Sequence, residues 1–312
     1  MTDEASMKAR EARRKSASKG TDWVGEIKSI AVLLLAVLAF HSFVAKPFYI
    51  PSESMMPTML VGDRLIVSKY AYGWSYVSPT IPNPAAIVRT TLLGGPPEPW
   101  GVTLPFMNGR IWGEMPERGD IVIVTPLHSN EDYIKRVIGL PGDLLEVRDG
   151  VVILNGKPVK QEALPAQRMP VDQNSRCDPR QFPGALETQP DGTQVCVLPV
   201  LRETLPNGRS YTIVDMGARE SDWYGPERIP AGHVFLMGDN RDNSADSRVS
   251  SAMQGLGGAV PWESLGGRAE FITFSLDGST KLNPATWLSS FRSGRAGMSL
   301  HPDDDGAAAS GQ

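Results

Sequence analysis

Histidine is scarce in this chain of 312 residues: only His41, His128, His233 and His301 occur. None has an acidic partner at meaningful spacing, so a Ser-His-Asp triad, which is assembled in space, finds little support along the chain. Cysteine is scarcer still, with Cys177 and Cys196 alone. They are either a disulfide stapling a Pro- and Gly-rich loop or two free thiols, and an oxidising compartment would favour the bridge. A net excess of charge is missing as well. The sum of −4 argues against a nucleic-acid binder that relies on a global basic field. Aromatics are modest, and no internal repeat is visible.

What is plentiful is glycine (31), proline (26) and an uneven placement of charge. Lys8, Arg10, Arg13, Arg14, Lys15 and Lys19 crowd the first 20 residues. An apolar run from Ile30 to Val44 follows, closed by Lys46-Pro47. It reaches the roughly 20 residues of a bilayer span once Trp23, Val24 and Ile27 are included. Three readings compete: a cleaved signal peptide, a buried core helix and an uncleaved anchor. Bulky Phe43 stands where a cleavage site wants a small residue, and a core helix would be amphipathic. The anchor is preferred, and the basic flank places the N-terminus in the cytoplasm.

Beyond Lys46 the pattern shifts to short apolar or alternating runs bounded by Gly, Pro, Asp and Asn. These are Leu65–Val67, Ile121–Val124, Tyr133–Ile138, Leu144–Val147, Val151–Leu154, Val234–Met237 and Phe271–Phe274. Asp149-Gly150 and Asn155-Gly156 are hairpin turn signals. The expected fold class is therefore mainly β: an N-terminal transmembrane anchor helix, then an all-β catalytic core with an inserted second β-rich domain. The expected division is 1–22 cytoplasmic, 23–46 anchor, 47–156 with 230–290 core, 157–229 insertion and 291–312 disordered tail. The Pro-rich stretch Trp74–Glu117 carries Trp100, Phe106 and Trp112, which either meet the membrane surface or pack as ordinary loop.

Three constellations carry chemistry. Ile50–Leu60, IPSESMMPTML, holds Ser52 and Ser54 between Pro51 and Pro57, whose fixed φ stiffens the backbone. Met55, Met56 and Met59 are expected to line a binding surface; the bland alternative is a Ser-rich juxtamembrane turn. A serine nucleophile needs a base. Lys135 in Tyr133–Gly139 is the candidate, because strand alternation puts it on one face with Tyr133 and Val137. Apolar burial lowers a lysine pKa from about 10.4 toward a useful range; an exposed edge-strand lysine is the alternative. Finally, Gly238–Arg248, GDNRDNSADSR, is either a polar turn or a brace for an active site, with Asp246 and Arg248 as an ion pair.

Taken together, in order and spacing, these blocks resemble bacterial type I signal peptidase. They are the anchor, PSESMMPT (51–58), GDRLIVSKYAYG (62–73), RGDIVIV with YIKRVIGLPGD (118–143), and GDNRDNSADSR (238–248). The resemblance implies a Ser–Lys dyad protease with Ser54 as nucleophile and Lys135 as general base. It implies that Ser52 stabilises the oxyanion, that Ser244 orients the lysine, and that Asp246 and Arg248 are structural supports. Phe48, Ile50, Met55, Leu65, Tyr133 and Ile134 match positions lining apolar pockets for small substrate residues. Neither a metal nor an organic cofactor is implied. The implied partners are signal peptides of exported preproteins and membrane lipid, with the export translocon nearby and no nucleic acid. The implied location is the bacterial inner membrane, with the catalytic body on the periplasmic side. Glu53 departs from the pattern by placing a charge between the two serines, and Val249–Gly258 departs in length. A self-cleaving Ser–Lys repressor-type peptidase would explain neither the anchor nor the lack of a DNA-binding segment. A membrane-tethered scaffold would not need the serine–lysine pair.

Overall fold

The structure, a computed structural model, describes Met7 and residues 23–79, 81–82, 101–102, 109–126, 131–280 and 287–304. The basic segment 1–22 lies outside the described residues except for Met7, as do Trp100, Phe106 and His128. Trp23–Phe43 is the one α-helix of membrane-spanning length and apolarity among the described residues. Its 21 residues rise about 31 Å, matching a hydrocarbon core of about 30 Å. Its apolar side chains are exposed on every side, as lipid rather than a protein core would require. The helix stops three residues short of the expected anchor boundary. Pro47 cannot continue a helix, and the chain passes at Ala45 into strand β1 (Ala45–Tyr49).

The other strands are β2 (Asp63–Ser68), β3 (Ile81–Pro82), β4 (Gly101–Val102), β5 (Ile121–Val124), β6 (Tyr133–Gly139), β7 (Leu144–Arg148), β8 (Val151–Leu154) and β9 (Lys157–Pro158). Further along come β10 (Lys160–Pro170), β11 (Leu186–Thr188), β12 (Gln194–Thr204), β13 (Arg209–Val214), β14 (Tyr224–Arg228), β15 (His233–Met237), β16 (Val260–Pro261), β17 (Leu265–Ser275) and β18 (Asp303–Asp304). A seven-stranded sheet has the order β1-β2-β17-β5-β6-β15-β16, and β10-β12-β13-β18 form a second with β11 on β12. A third sheet, β14-β7-β8-β9, crosses the expected insertion boundaries, since β9 and β14 pair with strands assigned to the core. Fold and sequence agree on the class: mainly β behind one apolar helix. At both predicted hairpins the turn residues have positive φ, with Asp149 at 49° and Gly150 at 75°, Asn155 at 53° and Gly156 at 78°. That double requirement is why Asp-Gly and Asn-Gly stand there.

One expectation is corrected outright. The tail from residue 291 is folded as far as Asp304: Leu300 is buried in the core and β18 pairs with β13. Cys177 and Cys196 form a disulfide that ties the loop after β10 to β12. Near the helix end, Phe43, Trp74 and Trp112 make an edge-to-face chain of rings at 6.1 and 6.2 Å, with Trp112 86% exposed.

Candidate active site

The loop between β1 and β2 carries both serines. Hydrogen bonds from Ile50 N to Asp63 O and from Gly62 N to Ile50 O pinch its ends together, each 3.0 Å. Inside it, Met56 N donates to Glu53 O and Met59 N to Met55 O, so Ser54 sits at the start of a tight turn. The methionines do not line a surface as expected. Met55 and Met59 are fully buried beside Ile50, Leu65 and Ile134, and Met56 is buried against the second sheet near Leu198 and Val214. Their apolar side chains fasten the turn from beneath. From the opposite side, Asn240 donates its backbone N to Ser54 O and its side-chain amide to Glu53 O, both 3.1 Å. Thr58 Oγ1 donates to Asp239 Oδ2 at 2.6 Å.

Strand β6 delivers Lys135. Its Nζ donates to Ser54 Oγ at 3.0 Å and to its own neighbour's carbonyl, Ile134 O, at 2.9 Å. Tyr133 shares its face, with Nζ 5.7 Å from the ring centroid. Ile134 goes to the opposite cluster, as period two requires. The lysine is only 4% exposed. Burial lowers its pKa to about 8 against the opposing pull of Asp246 and Asp239, and Arg248 lowers it further. A lysine in that range is partly neutral near pH 8, and the neutral amine can accept the Ser54 proton across the same contact.

Ser52 Oγ lies 3.4 Å from Ser54 Oγ, at the loose limit of a hydrogen bond. Ser244 lies beside the Ser54 turn across Gly238 but makes no hydrogen bond to the lysine. Its Oγ is buried with no hydrogen-bond partner, and the lysine takes its second contact from Ile134 O instead. Asp246 and Arg248 meet as expected, in a bidentate pair at 3.0 and 2.9 Å, and Asp246 Oδ2 also accepts Gly238 N. Of the six expected pocket residues, five gather in one apolar cluster and Tyr133 lies in another. Ile50, Met55 and Leu65 are at most 1% exposed, so they shape that ground from below, while Phe48 and Tyr133 keep accessible surface.

Two contributors escaped the sequence reading. Arg136, next to the lysine, forms a buried bidentate pair with Asp239 at 2.7 and 2.6 Å. Gly238 lets two backbones and a side chain meet: a Cβ there would lie 2.2 Å from Ser244 Oγ and 2.5 Å from Ser54 O. The only hint of it in the sequence is a glycine at the head of the polar run. Among the described residues, no cluster of His, Cys, Asp and Glu has the makings of a metal site.

The family model described as signal peptidase, peptidase S26 matches residues 23–274. Signal peptidase I of Rickettsia akari (strain Hartford) is 32% identical over 263 residues, covering 82% of this chain and 79% of that protein. Signal peptidase I of Rickettsia typhi (strain ATCC VR-144 / Wilmington) is 30% identical over 300 residues, covering 90% and 95%. A crystal structure of a signal peptidase I from Enterococcus faecalis V583 covers 50% of this chain and 97% of that one at 21% identity. The TM-score of that pair is 0.26. The matched span runs from the first residue of the apolar helix through the serine turn, the lysine strand and the polar loop to the last core strand, and by that match the chain belongs to the signal peptidase family.

Proposed function

We propose that the chain is a membrane-anchored serine endopeptidase that removes signal peptides from exported preproteins after a small-x-small site. The observation that carries this reading is the 3.0 Å contact between Ser54 Oγ and a Lys135 amine that is 4% exposed. Neutral Lys135 takes the proton as Ser54 Oγ attacks the scissile carbonyl, giving a tetrahedral oxyanion. Ser52 Oγ and the Ser54 backbone N–H donate to that oxyanion, each donor contributing about 3 kcal/mol by the usual measure of such sites. The protonated lysine then gives its proton to the leaving amine. It next activates the water that hydrolyses the acyl-enzyme. Substrate joins the protein as an added strand at a sheet edge, where main-chain hydrogen bonds tolerate varied sequences. Small residues on the acyl side rest on the apolar ground around Phe48 and Ile134.

The helix Trp23–Phe43 would hold the protein as a single-pass anchor in the inner membrane. The basic segment before it keeps the N-terminus cytoplasmic, the catalytic body lies on the periplasmic side, and the export translocon is a neighbour that supplies substrate. Incubating the protein with a preprotein tests the chemistry. A single cut after the small-x-small site is expected, abolished in Ser54→Ala and in Lys135→Ala with both variants folded. A Lys135→Ala protein that cut at near wild-type rate would overturn the dyad.

A further inference from the structure

A cleft of about 310 Å³ opens beside the nucleophile, bounded by Ser52, Glu53, Ser54, Asn174, Gln181 and Asn243. None of the six residues assigned to the apolar acyl-side ground takes part in it. A peptide whose scissile carbonyl lies on Ser54 and whose acyl side rests on that apolar ground still has this separate polar cleft next to Ser54, open to the residues after the bond. The volume is at the small end of ligand sites, enough for one or two side chains.

Glu53 is the one charged side chain among the residues bounding the cleft. Among the described residues its carboxylate makes no ion pair or side-chain hydrogen bond. Burial raises its pKa, and the negative charge of Asp178 raises it further. Asp178 is itself paired with Arg180 at 2.9 Å. Glu53 is not among the charges acting on Lys135, which are Asp246, Asp239 and Arg248. Its carboxylate therefore does not set the lysine's pKa, and Glu53 is free to act on what enters the cleft that it lines. Gln181 and Asn243 add side-chain amides with no partner among the described residues. Asn174 is fixed by donating to Leu276 O at 2.8 Å. The loop bearing Asn174 and Gln181 is the one tethered by Cys177–Cys196, so this wall is built and held.

We propose that the cleft receives the first residues of the released chain and that Glu53 selects a cationic side chain there. This rests on the peptidase reading above. An unpaired, half-buried carboxylate gains a counter-ion when a lysine or arginine enters, and repels an acidic residue in the same place.

The test uses the full-length protein in detergent. Peptides share one acyl side and carry Lys, Gln or Glu at each of the first three positions after the scissile bond. The expected result is a Lys-to-Glu ratio in kcat/KM of roughly tenfold at one of these positions. The ratio falls toward one in Glu53→Gln and rises in Asn243→Asp, which adds a second carboxylate to the wall. Equal rates for the three peptides in the wild type at every position would overturn the proposal. So would a ratio that neither variant moves, and if Glu53→Gln fails to fold, Asn243→Asp alone decides. If the wild type cut no peptide at all, the peptidase reading itself would fail and this one with it. Cutting without charge preference removes only the role of Glu53.

Discussion

Lys135 carries its function in its surroundings. Burial brings its pKa down to about 8 from the ordinary 10.5, so with Lys135 as the proposed base activity requires the neutral form and should rise with pH. Below pH 8, kcat/KM should climb about tenfold per unit and flatten above it; a profile flat from pH 6 to 9 would remove the lysine as base. The same shift has a stability sign. Because the folded pKa is depressed below the unfolded one, the folded chain binds fewer protons between about pH 8 and 10.5. The contribution of this group therefore rises with pH through that window, and below pH 8 the buried ammonium costs its full amount, on the order of 3 kcal/mol. Lys135→Met should then be inactive yet melt higher than wild type at pH 6, with the advantage shrinking by pH 10. Gly238→Ala makes a second case, since its Cβ would lie 2.5 Å from the Ser54 carbonyl oxygen. It should lower kcat by at least about a hundredfold, in proportion to the misplacement of Ser54, the proposed nucleophile. Ser54 and Lys135 were legible in the sequence because each sits in a short, locally coded block. The close approach at Gly238 and the missing partner of Ser244 were not, because both depend on which groups come close after folding.

At the scale of elements, the last folded segment shows where composition misleads. Its Gly, Ser and Asp content reads as disorder, yet Arg292 pairs with Asp172 and donates to Val61 O at 2.7 Å. Arg295 pairs with Asp63 at 2.5 Å and donates to Thr58 O at 3.1 Å. Two arginines thus hold the loop that carries Ser54, from partners more than 100 residues distant, a range no local pattern reveals. Asp63 is fully buried, so removing its counter-ion leaves a stranded charge. Arg295→Ala should lose about 3–5 kcal/mol of stability, measured by denaturant unfolding, whereas Arg180→Ala, an exposed pair, should change it little. Hairpins were legible for the opposite reason. Asp149-Gly150 and Asn155-Gly156 encode backbone conformation in two adjacent residues. The disulfide closes a loop of 19 residues, worth about 3 kcal/mol in the chain-entropy model, and Cys177→Ser with Cys196→Ser should lower the melting temperature accordingly.

For the whole molecule, the division of labour is between a body that binds itself and a helix that does not. Buried ion pairs stitch the body together. Arg136 joins β6 to Asp239, and its guanidinium lies 4.0 Å from the Tyr211 ring on β13. Arg241, in the polar loop, pairs with Glu203 on β12. Among the described residues the helix meets this body at its C-terminal end, where Trp74 Nε1 donates to Phe43 O at 2.9 Å. Among the described residues no core cluster includes a side chain of Trp23–Phe43, so a chain starting at Ala45 should keep the sheets and the Ser54–Lys135 contact. It should cut a soluble peptide with kcat/KM within about threefold of the full chain. Preproteins embedded in vesicles are a different substrate. There the anchor confines enzyme and cleavage site to one surface, replacing a bulk encounter by an effective concentration on the order of millimolar. The shortened chain should process them at least about tenfold more slowly at nanomolar enzyme, and the gap should close as enzyme is added. Equal rates at low enzyme would mean that the body finds the membrane by its own exposed rings, Trp112 foremost. The helix would then be a tether without a part in substrate encounter.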